Sequence, residues 1–328
     1  MASSETNETL RWQDPDWLAE VVDWIDARVA RTGDVDQIHS YPWATAIRAP
    51  TVEGQVWFKA CIEELAHEVG TLELLSARRP ELVPHVLASD RTRGWLLLED
   101  AGERLRELES RPGQLERWEE AVALYAQLQL DVAQDSDRFV AAGLPDRRGG
   151  VATQLAQVFE DERATNPGTE DALDDAEVAA LRALVPRLAE EERRLDALGV
   201  PYSIQHDDLH DANVFVRDGN YRIIDWGDAC ITNPLLSLTV AQAVVAHRFD
   251  VEQDSPEVAR VRDAYLEPFT SRTTRGELHD AVELVTRIGY ACGTLKWYEV
   301  ITAISADARS AFDLELPPRL RRLLELCA

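Results

Sequence analysis

From residue 15 onward apolar positions recur at helical spacing. In PDWLAEVVDWIDARVAR, Leu18, Val21, Val22, Ile25 and Val29 fall on one side, which predicts an amphipathic helix over 15–31. The period then shortens to two, and runs at 35–40, 44–48, 55–59, 83–88 and 95–99 predict strands, the second and third joined by a turn at Glu53-Gly54. Between the third and fourth, Leu65, Val69, Leu72 and Leu75 mark one face of a helix over about 61–78, ended by Pro80.

Beyond residue 100 the pattern turns helical. Leu115, Trp118, Val122, Tyr125, Leu128 and Val132 predict a helix over 115–132. A second begins at the capping-box pattern Asp174-Asp175-Ala176-Glu177 and stops at Gly199 before Pro201, with a kink expected at Pro186. Short strands at 214–217 and 221–224 flank a turn at Asp218-Gly219-Asn220, and 235–326 reads as helices. No repeat or low-complexity tract interrupts the chain. The expected architecture is α+β: a small strand-rich lobe, 1–99, and a larger, mainly helical lobe, 100–328, hinged near 99–102.

Composition narrows the function. Sixty acidic residues against 34 basic give a formal charge of −26, which argues against nucleic acid or an anionic membrane as partner and permits a cationic one. No apolar run reaches the ~18 residues of a membrane span, and the first residues lack the basic-then-apolar pattern of a signal peptide. Four scattered cysteines, with no CxxC pair, fit a reducing cytoplasm. Only two of the 34 basic residues, Lys59 and Lys296, are lysine. Lysine offers a compact point charge that arginine does not, and Lys59 closes a strand.

The densest polar cluster is His206-Asp207-Asp208-Leu209-His210-Asp211-Ala212-Asn213, set between apolar runs. Asp225 follows in Ile223-Ile224-Asp225-Trp226-Gly227-Asp228, and a hairpin between the two would return it beside Asn213. Phosphoryl transfer needs oxygen ligands for a divalent metal, which Asn213 and Asp225 supply. It also needs a base to orient the acceptor hydroxyl, and Asp208, five residues before Asn213, has the spacing of a kinase catalytic loop.

These segments resemble the aminoglycoside phosphotransferase and choline kinase-like superfamily, whose members share the protein-kinase fold and carry H-G-D-L-H-x-x-N followed by I-D-F/W-G. The resemblance implies a two-lobed kinase-like fold and transfer from ATP or GTP, with Mg²⁺, to a hydroxyl of a small molecule: an aminoglycoside, amino sugar, other antibiotic, or a metabolite such as choline. It makes Asp208 the catalytic base, Asn213 and Asp225 the metal ligands, and His206 a holder of the catalytic loop. Lys59 becomes the nucleotide lysine, paired with Glu68 (or Glu64 or Glu73). Trp95–Glu99 resembles the strand that leads to the adenine, with Glu99 and Ala101 contributing main-chain groups. The phosphate-covering turn is Ser40-Tyr41-Pro42-Trp43-Ala44-Thr45, which has no glycine and has Thr45 at its end; Trp43, in that loop, reads with Trp57, Trp226 and Trp297 as packing rather than as a stacking platform.

Ser237 stands where the family often has an acidic residue, and the loss is expected to affect loop anchoring. A protein kinase and an inactive pseudokinase are the alternatives. Against the first, His210 replaces the catalytic-loop lysine, and only six residues separate Gly227 from Pro234. Against the second, Lys59, Asp208, Asn213 and Asp225 are all present. Acceptor contacts are expected from 235–328, with Asp228, Glu267, Glu283 and Glu299 as acidic candidates for a cationic acceptor. Neither the acceptor nor the oligomeric state follows from the sequence.

Overall fold

The computed structural model describes residues 11–109, 111, 114–312 and 315–328. Residues 1–10, on which the expected lack of a leader rests, lie outside them. Asp14 opens helix α1 (Pro15–Asp26) by accepting hydrogen bonds from the N–H groups of Asp16 and Trp17. Val21, Trp24 and Ile25 form its buried face. The helix ends at Asp26, before the expected 31, because Arg31 turns back to pair with Asp26 at 2.9 Å and bridges to Thr51 at the sheet edge.

Five antiparallel strands follow, β1 (Asp36–Ser40), β2 (Ala44–Thr51), β3 (Gly54–Cys61), β4 (Val86–Asp90) and β5 (Trp95–Glu99), in the order β1-β2-β3-β5-β4. The β2/β3 hairpin outruns its apolar core, pairing through Pro50 with Gln55 to Thr51 with Gly54. In β3, Val56, Phe58 and Ala60 are buried, and Phe58 meets Trp24 and Trp95 edge-on at 5.7 and 5.3 Å. Period-two alternation therefore sends Trp57 and Lys59 to the opposite face. The helix expected over 61–78 is divided into a 3₁₀ turn at Glu63–Leu65 and α2 (His67–Arg78), which buries Glu68 together with Val69, Leu72 and Leu75. Strand β4 starts later than predicted. Pro84 has no N–H to give, and the ladder bulges between Val86 and Ala88.

After β5 the chain passes through Asp100, Ala101 and Gly102. Gly102 has φ of 102°, and a Cβ there would lie 2.3 Å from the Val216 carbonyl oxygen. Only glycine lets this link press so closely against the next layer. That layer holds β6 (Glu103–Arg104), α3 (Glu116–Val132), α4 (Val151–Val158), α5 (Asp175–Asp196), β7 (Ser203–Gln205), β8 (Val214–Arg217), β9 (Asn220–Ile223), β10 (Cys230–Thr232), α6 (Leu238–Phe249), α7 (Pro256–Leu266), α8 (Val282–Ala303) and α9 (Pro317–Leu326). Strands β6-β8-β9 form one small sheet and β7-β10 another. Both halves of the capping box at α5 form, and the helix runs through Pro186 without ending, to Asp196. Gly289 lets α8 approach at backbone distance, since a Cβ there would fall 2.1 Å from Thr239 Oγ1 and 3.0 Å from the Leu236 carbonyl.

A small antiparallel sheet followed by a mostly helical remainder is the α+β arrangement the pattern predicts. Among the described residues no helix is long and apolar enough to cross a membrane.

Candidate active site

The polar segment 206–213 spans the gap between β7 and β8, and Asp225 follows β9. The hairpin does what its spacing promised: Ile224 N–H donates to the Asn213 carbonyl at 3.0 Å, so the two motifs lie side by side.

His206 is fully buried. Its Nε2 lies 2.8 Å from the Ile224 carbonyl, its Nδ1 accepts from Asp208 N–H at 3.3 Å, and its ring packs on Trp226 with centroids 4.6 Å apart. A neutral imidazole with the proton on Nε2 satisfies both bonds, and burial pushes its pKa down, which favours that form. His206 thus holds the loop from behind.

Asp208, by contrast, lines a cleft of about 850 Å³ between the five-stranded sheet and the helical part. Its carboxylate accepts from Asn213 Nδ2 at 3.1 Å and lies 3.4 Å from His210 Nε2. Burial alone would raise its pKa. The His210 hydrogen bond and the charges of Lys296 and His210 outweigh that and hold it below its ordinary value, as a carboxylate.

Lys59 enters the cleft from the sheet. Its Nζ is 2.8 Å from Glu68 Oε1 and 2.5 Å from Asp225 Oδ1. Glu68 also accepts the Trp226 N–H at 3.0 Å, so one buried carboxylate ties the lysine to the turn after β9. Burial disfavours the Lys59 ammonium, but Asp225 and Glu68 raise its pKa regardless. The same pairing with Lys59 holds the Asp225 carboxyl down at about 2. Of the three glutamates that the sequence offered as partner, Glu64 is exposed and Glu73 pairs with Arg91 and Ser89.

The donors suit a hard divalent cation. Asn213 spends its amide N–H₂ on the Asp208 carbonyl and carboxylate, which leaves the amide oxygen as its donor. Asp225 is half-exposed and held in a left-handed backbone, φ 65°, a conformation uncommon outside glycine. One carboxylate and one amide oxygen, completed by phosphates and water, is a donor set that Mg²⁺ accepts.

Glu99 and Ala101 line the cleft beside Asp100 and Gly102. Thr45 is placed differently. Its hydroxyl donates to the His39 carbonyl at 2.8 Å and accepts from Gln37 Nε2 at 2.9 Å, bracing β1 against β2. The structure therefore does not bring its side chain to the cleft, which His39, Tyr41, Trp43, Ala44 and Ala46 line from that side. Tyr41 and Trp43 stack at 5.2 Å and both meet Phe312 edge-on, which joins this turn to the C-terminal part.

Each acidic candidate for the acceptor side has a basic partner: Asp228 with Lys296 at 2.8 Å, Glu299 with Arg147 at 2.6 Å, Glu283 with Arg287 at 3.7 Å, and Glu267 with Arg275. Asp211 is likewise buried between Arg106 and Arg248. Ser237 is buried against the Tyr125 hydroxyl and Gln129, a neutral anchor where the family often has an acid.

The feature that sequence reasoning left aside is Lys296. The scarcity that singled out Lys59 applied equally to it, and the two lysines share one cleft.

The sequence profile of the phosphotransferase enzyme family matches residues 61–278. No curated protein sequence matches the chain. Among solved structures, an ethanolamine kinase of Plasmodium vivax superposes with a TM-score of 0.65 at 13% identity, covering 100% of this chain and 96% of its own. A choline kinase of Cryptosporidium parvum Iowa II gives 0.62 at 15%, covering 94% and 95%. A putative aminoglycoside phosphotransferase of Ralstonia eutropha JMP134 gives 0.58 at 16%, covering 94% and 97%. At these identities the likeness is one of fold, and the fold is the kinase-like one.

Proposed function

This chain belongs to the phosphotransferase enzyme family, and on that premise we propose that it moves the γ-phosphoryl group of ATP or GTP to a hydroxyl of a small molecule. The observation that carries the reading is convergence. The Asp208 carboxylate, Asp225 beside it, and the Lys59–Glu68 pair from the sheet all meet at one cleft.

Asp208 takes the proton of the acceptor hydroxyl as its oxygen bonds to the γ-phosphorus and the bond to the nucleoside diphosphate breaks. Asn213 keeps the Asp208 carboxylate in place, and His206 keeps the loop in place. Lys59 meets the α- and β-phosphate oxygens, positioned by Glu68. Mg²⁺, held by Asn213 and Asp225, neutralises phosphate charge when bound. The link at Glu99 and Ala101 receives the base through main-chain groups.

A cytoplasmic location is part of the proposal. The four cysteines are buried and free, as a reducing compartment keeps them. A peptide acceptor fits less well than a small one, because the stretch between Gly227 and Pro234 is taken up by β10, buried against β7.

Binding is tested by thermal shift. A ligand at a hundredfold excess over its dissociation constant stabilises the folded state by about 2.7 kcal/mol. ATP or GTP with Mg²⁺ should raise the melting temperature, and each alone should raise it less. No shift with either nucleotide at millimolar concentration would remove the proposal.

A further inference from the structure

We propose that Lys296 contacts the transferred γ-phosphoryl group, as a second phosphate lysine opposite Lys59; the inference rests on the phosphotransferase reading and deepens it. Lys296 stands on α8, far along the chain from both motifs, yet lines the same cleft as Asp208, Asp225 and Lys59. Its Nζ is anchored 2.8 Å from Asp228 Oδ2 and 4.8 Å from the Trp297 ring centroid. Burial disfavours its charge, but Asp228, Asp208 and Asp207 together raise its pKa, so it stays an ammonium.

Its position along the cleft selects which phosphate it meets. Lys59 is held by Glu68 and Asp225 on the sheet wall, where it serves the α- and β-phosphates. Lys296 stands three residues after Gly293, where a Cβ would fall 3.6 Å from Asp207 Oδ1, so α8 runs beside the Asp207-Asp208 loop and its lysine lies on the side where the acceptor hydroxyl and the γ-phosphorus must come together. In a loose phosphoryl-transfer transition state the charge spreads over the equatorial oxygens of that group. A compact ammonium there steadies them.

The backbone is built to permit this. Gly289 brings α8 against the segment after β10, and at Gly293 a Cβ would fall 2.7 Å from Arg319 Nη2 and 3.6 Å from Asp207 Oδ1. Asp207 itself takes a left-handed φ of 59° where the family signature has glycine, and its buried carboxylate lies 4.0 Å from Arg147. The arginine bias points the same way. Thirty-two of the 34 basic residues are arginine, and both exceptions stand in this cleft.

The test compares nucleoside tri- and diphosphate by calorimetry on the full chain with Mg²⁺, using a non-hydrolysable ATP analogue and ADP. Lys296→Met should weaken the triphosphate analogue roughly tenfold, the scale of one lost charged hydrogen bond, while ADP stays within about twofold. Lys59→Met should weaken both. A residue that only supports the loop would weaken both equally or neither, and that result overturns the assignment. Should Lys296→Met not fold, Lys296→Arg keeps the charge and the Asp228 pair. Its longer, planar head should cut the triphosphate-over-diphosphate preference at least threefold, on the same scale; an unchanged preference overturns the proposal. Wild-type chain that binds neither nucleotide would instead refute the phosphotransferase reading itself.

Discussion

Removing the charge of Glu68 while keeping its shape, as Glu68→Gln does, should cost both stability and nucleotide affinity. The carboxylate is 2% exposed and serves two donors, Lys59 Nζ and the Trp226 N–H. Both donors reach Oε1, and Lys59 Nζ also lies 2.7 Å from Oε2, so a glutamine can keep that oxygen but removes the charge and sets its amide N–H₂ against the lysine. Breaking a buried ion pair outright costs about 3–5 kcal/mol. Here Lys59 keeps Asp225 at 2.5 Å, and Asp225 is half in solvent, so the loss falls nearer the ~1.5–3 kcal/mol of one charged hydrogen bond. For a chain of this size that lowers the melting temperature by roughly 3–10 °C. Released from Glu68, the Lys59 ammonium is no longer fixed in place for the phosphates, and nucleotide affinity should drop roughly tenfold or more. Urea unfolding and calorimetry with nucleotide and Mg²⁺ measure the two losses. Glu64→Gln and Glu73→Gln are the controls, exposed or engaged elsewhere, and should each stay within about 0.5 kcal/mol. The reasoning fails if either control costs as much as Glu68→Gln, or if Glu68→Gln changes neither quantity.

Two further outcomes follow from the geometry around the loop. Burial pushes the Asp207 carboxyl up to about 6 against the pull of nearby cations. The folded chain then holds this proton more tightly than the unfolded one, so its contribution to stability falls as pH rises from about 4 to about 6, by on the order of 3 kcal/mol. Urea midpoints across that window should slope less in Asp207→Asn, and identical slopes would contradict the assignment. Gly102→Ala forces a Cβ to 2.3 Å from the Val216 carbonyl at φ 102°, and should lower the melting temperature by roughly 4 °C or more; a melt like that of wild type would contradict the close approach.

Local chemistry was legible in the chain. The run Trp95–Leu98 is continuously apolar and buried between β3 and β4, and the strand Trp95–Glu99 forms with the bounds its residues suggest. The hairpin from 214 to 223 announced itself through alternation and Asp218-Gly219, and it carries the juxtaposition of Asn213 with Asp225. What stayed hidden depends on distant partners. β7 and β10 are three residues each, too short for periodicity, and are strands only because Ser203–Gln205 and Cys230–Thr232 pair with one another. Thr45 reads as part of a phosphate turn until its hydroxyl is seen bound to His39 and Gln37. Lys296 lies on a helix whose apolar face gives no hint that its Nζ meets Asp228, a contact made by tertiary packing through Gly289 and Gly293. The acidic side chains tell the same story in reverse. They look like a cation trap in the sequence, and in the fold Asp211, Asp228 and Glu299 are engaged by Arg106, Lys296 and Arg147.

The most direct test of the central claim is a phosphoryl-acceptor screen by mass spectrometry. Wild-type protein and Asp208→Asn are incubated with Mg²⁺, ATP or GTP, and a panel of hydroxylated small molecules that includes aminoglycosides, amino sugars and amino alcohols. The account predicts that wild type adds the mass of one phosphoryl group to at least one acceptor. Asp208→Asn should bind nucleotide with similar affinity and leave that acceptor unmodified, because it lacks the carboxylate that takes the hydroxyl proton. Near-normal turnover by Asp208→Asn on the identified acceptor would contradict the account.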